Sequence, residues 1–180
     1  MPGPRRFMLA VVAVVIAAGT TDIGTKPAPA AEESVTIIEK IRKYRTITWR
    51  WQRVMSRPLT PTGRTLLRTQ TLEYRLWVLR WWRAKARRVY LRAQDPPLRS
   101  AWLCIHRYEG PWQANTGKGY YGGLQMNIAF QRAYGPGLLR RKGTANRWTP
   151  LEQMWVAERA YRSGRGFSPW PNRARYCGLI

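Results

Sequence analysis

The chain has 180 residues, a length that favours one domain of modest size with accessory segments over several independent domains. It contains 32 Lys and Arg against 9 Asp and Glu, for a formal net charge of +23, and ten Trp. Such a charge restricts the class of partner but not the fold: nucleic acid, an anionic membrane surface and an anionic polymer all fit it. One His and two Cys cannot supply the ligands of a metal site.

Residues 1–30 have the pattern of a cleavable secretory signal peptide. Arg5 and Arg6 precede an apolar run, residues 7–18, that is too short to span a bilayer, since a spanning helix needs about 20 apolar residues. Residues 28–30 read A-P-A and supply a cleavage site, although an earlier cut or an uncleaved anchor stays open. We therefore expect a secreted or cell-wall protein, and an exported chain is not expected to bind nucleic acid.

Export also bears on the two cysteines, Cys104 and Cys177. In an oxidising compartment we expect them to form one disulfide, the alternative being two buried free thiols. The bridge would close a loop of about 70 residues, which is worth about 4 kcal/mol in the chain-entropy model.

Residues 32–95 are predicted to form a basic helical hairpin. Apolar residues recur three and four positions apart on either side of a Pro- and Gly-containing break at 57–63, which favours two antiparallel helices. Their other faces are rich in Arg and Trp. The predicted buried stripes are Ile37, Ile41, Tyr44, Thr48, Trp51 and Met55 in the first helix and Leu72, Leu76, Leu79, Ala86 and Tyr90 in the second.

Residues 98–180 are predicted to form a separate, mainly α domain after the Asp95-Pro96-Pro97 boundary. Thr149, Pro150 and Glu152 have the capping-box pattern of a strong helix start. The predicted elements are a helix over 98–108, a loop or small hairpin over 110–123, a helix over 124–134 stopped by 135–137, and a helix from 150 to about 162.

This part holds three acidic residues, and they are not equivalent. Glu152 is predicted to cap its helix, and Glu158 is predicted to lie on a solvated ion-pair face with Arg159 and Arg162. Glu109 ends a helix at the mouth of an aromatic, Gly-rich loop, where desolvation raises the pKa of a carboxyl and suits a general acid, whereas Arg107 and the overall positive charge act to lower that pKa. The alternative is a helix-end Glu bonded to loop amides.

Residues 104–125 read C-I-H-R-Y-E-G-P-W-Q-A-N-T-G-K-G-Y-Y-G-G-L-Q. This run resembles the core of the resuscitation-promoting factors of actinobacteria and related transglycosylase-like domains, and the likeness continues through residues 157–159 to Trp170-Pro171 and Cys177. It spans residues 101–180 and none of the hairpin. In that family a cysteine commonly stands directly before the glutamate, whereas Cys104 lies five residues ahead of Glu109.

The resemblance implies a small lysozyme-like fold that acts on the glycan strands of peptidoglycan, with Glu109 as catalytic acid and without a cofactor. Aromatic faces, amides and close-approaching glycines suit a sugar groove. The residues implied to line this groove are Trp112, as a stacking wall, Asn115, Thr116, Tyr120, Tyr121 and Gln125.

The shortage of carboxylates predicts a one-acid mechanism. A standard retaining glycosidase needs a second carboxylate about 5 Å from the acid, and an inverting one needs it at about 6.5–9.5 Å. If a muramic 6-hydroxyl attacks, the enzyme is a lytic transglycosylase; if water attacks, it is a muramidase. The hairpin is expected to hold the enzyme to anionic wall polymers. Two alternatives are a non-catalytic wall-binding protein and a membrane-active cationic protein.

Overall fold

A computed structural model describes residues 29–62 and 71–180; the predicted signal peptide falls almost wholly outside these ranges. The described chain is mainly α, as expected from the sequence, with one two-stranded antiparallel sheet. None of its described helices is long and apolar enough to cross a membrane. The elements are α1 (Pro29–Val54), α2 (Leu72–Ala93), α3 (Arg99–Glu109), β1 (Tyr120–Tyr121), β2 (Met126–Asn127), α4 (Ile128–Tyr134), α5 (Pro136–Lys142), α6 (Pro150–Ala160) and α7 (Pro171–Tyr176).

Helices α1 and α2 pack along one another but run in the same direction, so the antiparallel arrangement expected from the sequence is wrong. Ile37 near the start of α1 clusters with Val78 in the first half of α2, and Trp51 near the end of α1 clusters with Ala93 at the end of α2. After α1 the chain turns back, and Trp49 donates a hydrogen bond to the carbonyl of Thr60 at 2.8 Å. We call α1 and α2 the basic helical pair.

The predicted stripe of α1 is correct, and that of α2 is rotated. Ile37, Ile41, Thr48, Trp51 and Met55 are all buried in α1. In α2, Leu72 and Tyr90 are exposed, and the buried stripe is Val78, Trp82, Ala86 and Ala93. Because α2 carries Trp, Leu and Val on several faces, its apolar spacing fits more than one stripe.

The main core lies in the C-terminal part, where α3 packs against α6 and α7. Trp102 of α3 is fully buried and contacts the rings of Tyr161, Phe167 and Trp170. A disulfide joins Cys104 of α3 to Cys177 just after α7, with the two Cα atoms 6.0 Å apart. The C-terminal segment is thereby fixed against the helix that ends in Glu109.

The basic helical pair is docked on α6. Trp155 of α6 is buried against Trp51, Met55 and Ala93, and its indole N–H donates to the carbonyl of Ala93 at 2.7 Å. Arg159, further along α6, donates to the carbonyl of Val54 at the end of α1. The boundary predicted at 95–97 therefore separates two parts of the chain that share a buried interface.

Candidate active site

Glu109 is the last residue of α3, and its side chain is 19% exposed. Gly110 ends the helix with φ of +136°, a conformation that favours glycine, and its N–H donates to the carbonyl of His106. One carboxylate oxygen of Glu109 lies 3.5 Å from Nε of Arg173 in α7. Thus the carboxylate is partly buried at a helix end, with one cation beside it.

Burial raises the pKa of Glu109, and the Arg173 guanidinium lowers it by a smaller amount, so that the net pKa lies above the usual value of a glutamate. Desolvation disfavours the charged form, as the aromatic loop suggested from the sequence. A carboxyl with a raised pKa keeps its proton to higher pH and can act as a general acid.

The Gly-rich segment forms a small hairpin. Tyr120 pairs with Asn127 and Tyr121 with Met126, and Asn115 forms an isolated bridge to Tyr121. Tyr121 packs on the main core, whereas Tyr120 is 48% exposed. The predicted helix over 124–134 is therefore too long, because its first residues belong to a turn and to β2.

Two glycines of this hairpin, Gly122 and Gly123, lie where no larger residue fits. A Cβ on Gly122 would approach Oε1 of Gln153 to 2.4 Å, and one on Gly123 would approach Nδ1 of His106 to 2.5 Å. These close approaches explain the Gly-Gly pair of the motif in steric terms.

Gln153 of α6 is fully buried and holds the loop in place. Its Oε1 accepts from the N–H of Gly123 at 2.9 Å, and its Nε2 donates to the carbonyl of Trp112 at 2.8 Å. Sequence reasoning missed this residue, because a Gln that follows a helix-capping Glu carries no signal that it reaches a loop 30 residues away.

Trp112 stacks on His106, with ring centroids 3.9 Å apart and planes 20° from parallel. One face of its indole ring is therefore covered, and a sugar could stack only on the other face. His106 lies one helical turn before Glu109, so this stack joins the predicted aromatic wall to the helix that carries the acid.

A cleft of about 340 Å³ lies between the hairpin, α4 and the segment that leads into α7. Tyr120, Gln125, Arg165 and Trp170 line it, and Glu109 does not. Gln125 has φ of +47° although it is not glycine, and its Nε2 donates to the carbonyl of Gly122 at 2.8 Å. A residue held in this uncommon conformation inside a cleft is typical of a functional position.

Asn115 and Thr116 lie in exposed local turns. Oδ1 of Asn115 accepts from the N–H of Gly117, and Oγ1 of Thr116 accepts from the N–H of Lys118, both at 3.4 Å. The structure thus places Tyr120 and Gln125 in the cleft, with Asn115 and Thr116 at the exposed end of the hairpin.

The transglycosylase-like domain family matches residues 100–173, the range that contains Glu109, the hairpin, the cleft and Arg173. Residues 100–173 are therefore similar to transglycosylase-like domains.

Two relatives match the chain over stretches of similar length. Resuscitation-promoting factor RpfE of Mycobacterium tuberculosis is 42% identical over 72 residues, which are 39% of this chain and 38% of the relative. Resuscitation-promoting factor Rpf1 of Corynebacterium glutamicum is 39% identical over 70 residues, 39% of this chain and 35% of the relative. The chain thus spans little more than a third of the length of these curated relatives.

The other two glutamates of residues 100–173 form hydrogen bonds and ion pairs away from Glu109. Glu152 is fully buried, completes the capping box with Thr149 and pairs with Lys142 and Arg50. Burial raises the pKa of Glu152, but hydrogen bonds from Lys142, the Thr149 N–H and Arg50 outweigh it and leave that pKa lowered.

The predicted exposure of Glu158 is wrong. Instead of lying on a solvated face it is 3% exposed, and it accepts hydrogen bonds from the indole N–H of Trp102 at 3.1 Å and from Arg162 at 2.9 Å. Its ion pair with Arg162 was predicted, but its burial under Trp102 was not. In the described residues no three His, Cys, Asp or Glu side chains lie close enough together to hold a metal ion.

Proposed function

We propose that this protein is a secreted enzyme that cleaves the glycan strands of peptidoglycan, with Glu109 as its general acid. The observation that carries the proposal is the partly buried carboxyl of Glu109, with its raised pKa, inside the segment that matches the transglycosylase-like family. Glu152 and Glu158 are engaged in buried hydrogen bonds of their own, which leaves Glu109 for the chemistry.

The proposed reaction needs one carboxyl group. Glu109 donates its proton to the glycosidic oxygen while the bond from that oxygen to the anomeric carbon breaks. The resulting carboxylate then takes the proton of the attacking hydroxyl. Attack by the 6-hydroxyl of the same muramic residue gives a 1,6-anhydro product, as in a lytic transglycosylase, and attack by water gives a reducing end, as in a muramidase. Within residues 100–173 no second free glutamate or aspartate accompanies Glu109 to activate water, which favours the first.

The cleft and hairpin are proposed to bind the sugars. Tyr120 and Gln125 offer an aromatic face and an amide in the cleft, Trp112 offers a half-buried indole ring, and Tyr121 supports the hairpin from the core side. Asn115 and Thr116 would contact the glycan at the exposed end of the hairpin. Such a mixture of aromatic and amide groups suits sugar rings.

The basic helical pair is proposed to hold the enzyme to anionic wall polymers. Arg80, Arg83, Arg87 and Arg88 line one groove of α2 together with Leu91. All four are exposed, and in the described part of the chain none of them forms an ion pair. A row of unneutralised guanidinium groups is complementary to a phosphate- or carboxylate-bearing polymer.

Mass analysis of purified peptidoglycan after digestion tests the enzymatic proposal. We expect soluble muropeptides with a 1,6-anhydro end, lighter by one water than the reducing-end products of a muramidase control. Products with reducing ends would still support an enzyme that cleaves glycan strands, but with water as the attacking group. No release of soluble material by folded, disulfide-bonded protein would contradict the proposed function.

A further inference from the structure

The positive charge of Arg173 is only loosely neutralised. Its Nε lies 3.5 Å from Glu109, beyond the 2.7–2.9 Å that is usual for a charge-assisted hydrogen bond. Its side chain is 37% exposed, and its guanidinium carbon lies 5.9 Å from the centre of the Tyr176 ring. Within the described residues the structure gives its terminal nitrogens no hydrogen-bond partner, so the outer edge of the guanidinium group is free to bind another anion.

The ion pair between Arg173 and Glu109 also conflicts with the chemistry proposed for Glu109. A general acid must carry its proton when the substrate is bound, and a cation beside it favours the carboxylate. The conflict is removed if Arg173 pairs with another anion when the glycan is bound. The other two glutamates of residues 100–173, Glu152 and Glu158, are buried in their own hydrogen bonds, and a carboxylate on the substrate would supply such an anion.

The position of Arg173 allows such an exchange. Trp170, at the start of α7, lines the cleft, and Arg173 follows one helical turn later. Arg165, on the other side of Trp170 along the chain, lines the same cleft. A glycan that enters the cleft would meet Arg165 there, and Arg173 lies one helical turn beyond Trp170, beside Glu109.

We propose that Arg173 is a subsite for a carboxylate group on the glycan, and that its guanidinium group passes from Glu109 to that carboxylate when the glycan binds. The inference rests on the proposed function and adds a substrate class to it: glycans with carboxylate-bearing sugars or sugar substituents, in preference to neutral glycans of the same backbone. Arg173 binds and positions; Glu109 remains the proton donor.

Carboxyl-reduced peptidoglycan tests the subsite, because reduction turns each carboxylate into a neutral alcohol and leaves the glycosidic bonds unchanged. The protein is used as the full chain, and kcat/KM is measured on native and on carboxyl-reduced soluble fragments. For the unaltered chain we expect a preference for native fragments of at least about tenfold, the size expected for hydrogen bonds to a charged group.

Arg173→Met should bring this preference close to one, and Arg173→Lys should restore part of it, since lysine keeps the charge and loses the planar guanidinium group. Arg175→Met, an exposed arginine of the same helix, is the matched control and should keep the preference. Because the ratio is taken within each protein, a uniform loss of activity does not change it.

Two results would overturn the subsite: an unaltered chain that cleaves both substrates equally well, or a folded Arg173→Met protein that keeps the preference. An unaltered chain that cleaves neither substrate overturns the proposed function itself. The two failures are therefore distinct.

Discussion

Glu109 combines a partly buried carboxyl at a helix end with the Arg173 guanidinium beside it, and burial raises its pKa. A glutamate followed by glycine at the end of a helix, before an aromatic loop, indicates such a partly desolvated carboxyl, but from the sequence the opposing effect of nearby positive charge stayed open. The cation beside it is Arg173, 64 positions further along, and only the folded chain shows this pairing. The burial of Glu158 was missed for the same reason, because Trp102, which covers it, lies on another helix.

The pH dependence of the reaction follows from the same environment. Because the acid acts in its protonated form and burial raises its pKa, we expect kcat/KM to fall on the alkaline side at a pH above the ordinary glutamate value of about 4.3. Arg173→Met removes a charge that lowers this pKa and should move the alkaline limb to higher pH, whereas Arg175→Met should leave it in place. Rates on soluble fragments across pH provide the measurement. An alkaline limb that stays in place in Arg173→Met would show that Arg173 does not act on the titrating acid.

At the scale of elements, the sequence predicted the long or well-capped helices, placed the start of the short helix α4 too early, and missed two other short helices. The capping box at Thr149 and Glu152 predicted α6, and the structure contains it. Helix α5 was missed because Pro136 was interpreted as part of a signal that stops a helix, and α7 was not predicted in a segment rich in Pro and Gly. Pro136 and Pro171 both stand at the start of a helix, where the missing N–H costs nothing.

The predicted direction of α2 was wrong because the Pro- and Gly-containing segment after α1 was interpreted as a short break between two antiparallel helices. Seventeen residues, 55–71, separate the two helices. Extended, they reach about 56 Å, whereas the packed part of α1 from Ile37 to Val54 is about 26 Å long. The connection is therefore long enough to return to the start of α1, and burial of Val78 and Trp82 against Ile37 and Ile41 fixes the parallel arrangement.

The disulfide should stabilise the C-terminal part strongly, because it closes a loop of 73 residues. The chain-entropy model gives about 4 kcal/mol for a loop of this length. We expect reduction to lower the Tm by several degrees, since 1 kcal/mol shifts the Tm of a domain of 150–250 residues by about 2–4 °C. Scanning calorimetry with and without reductant provides the measurement. The Cys104→Ser/Cys177→Ser double variant is the control, and its Tm should not respond to reductant. An equal decrease of the Tm in that variant would show that the disulfide is not the cause.

At the scale of the whole molecule, two parts that the sequence separates share one interface. The basic helical pair covers Trp155, and Arg50 from α1 binds the buried Glu152 of α6. Deleting residues 32–94 would therefore uncover an indole ring and remove a partner of a buried carboxylate. Substitutions on the outer face of α2 are a cleaner test of its role.

Replacing Arg80, Arg83, Arg87 and Arg88 with Gln should weaken binding to whole sacculi and leave cleavage of small soluble fragments nearly unchanged. The multivalent charge contact acts through effective concentration, whereas cleavage of a short glycan depends on the site around Glu109. The loss should be largest at low ionic strength, because exposed charges are screened within about 10 Å at 0.1 M salt.

Co-sedimentation with sacculi at several salt concentrations measures this binding. The matched control replaces four exposed arginines of the C-terminal part with Gln, namely Arg132, Arg140, Arg141 and Arg147. Equal binding by both variants would show that net charge, and not the α2 face, holds the protein to the wall. Dye release from anionic vesicles by the unaltered chain would instead favour membrane binding.

Glu109→Gln tests the central claim most directly. The amide keeps the size and hydrogen-bonding shape of the side chain but cannot donate the proton, and general acid catalysis contributes at least about a hundredfold. Release of soluble muropeptides, followed by mass spectrometry, should therefore fall by at least about a hundredfold in a variant that keeps the fold and the disulfide. Glu39→Gln, an exposed glutamate of α1, should leave release unchanged. A folded Glu109→Gln protein that releases muropeptides at more than about a hundredth of the original rate would contradict Glu109 as the catalytic acid.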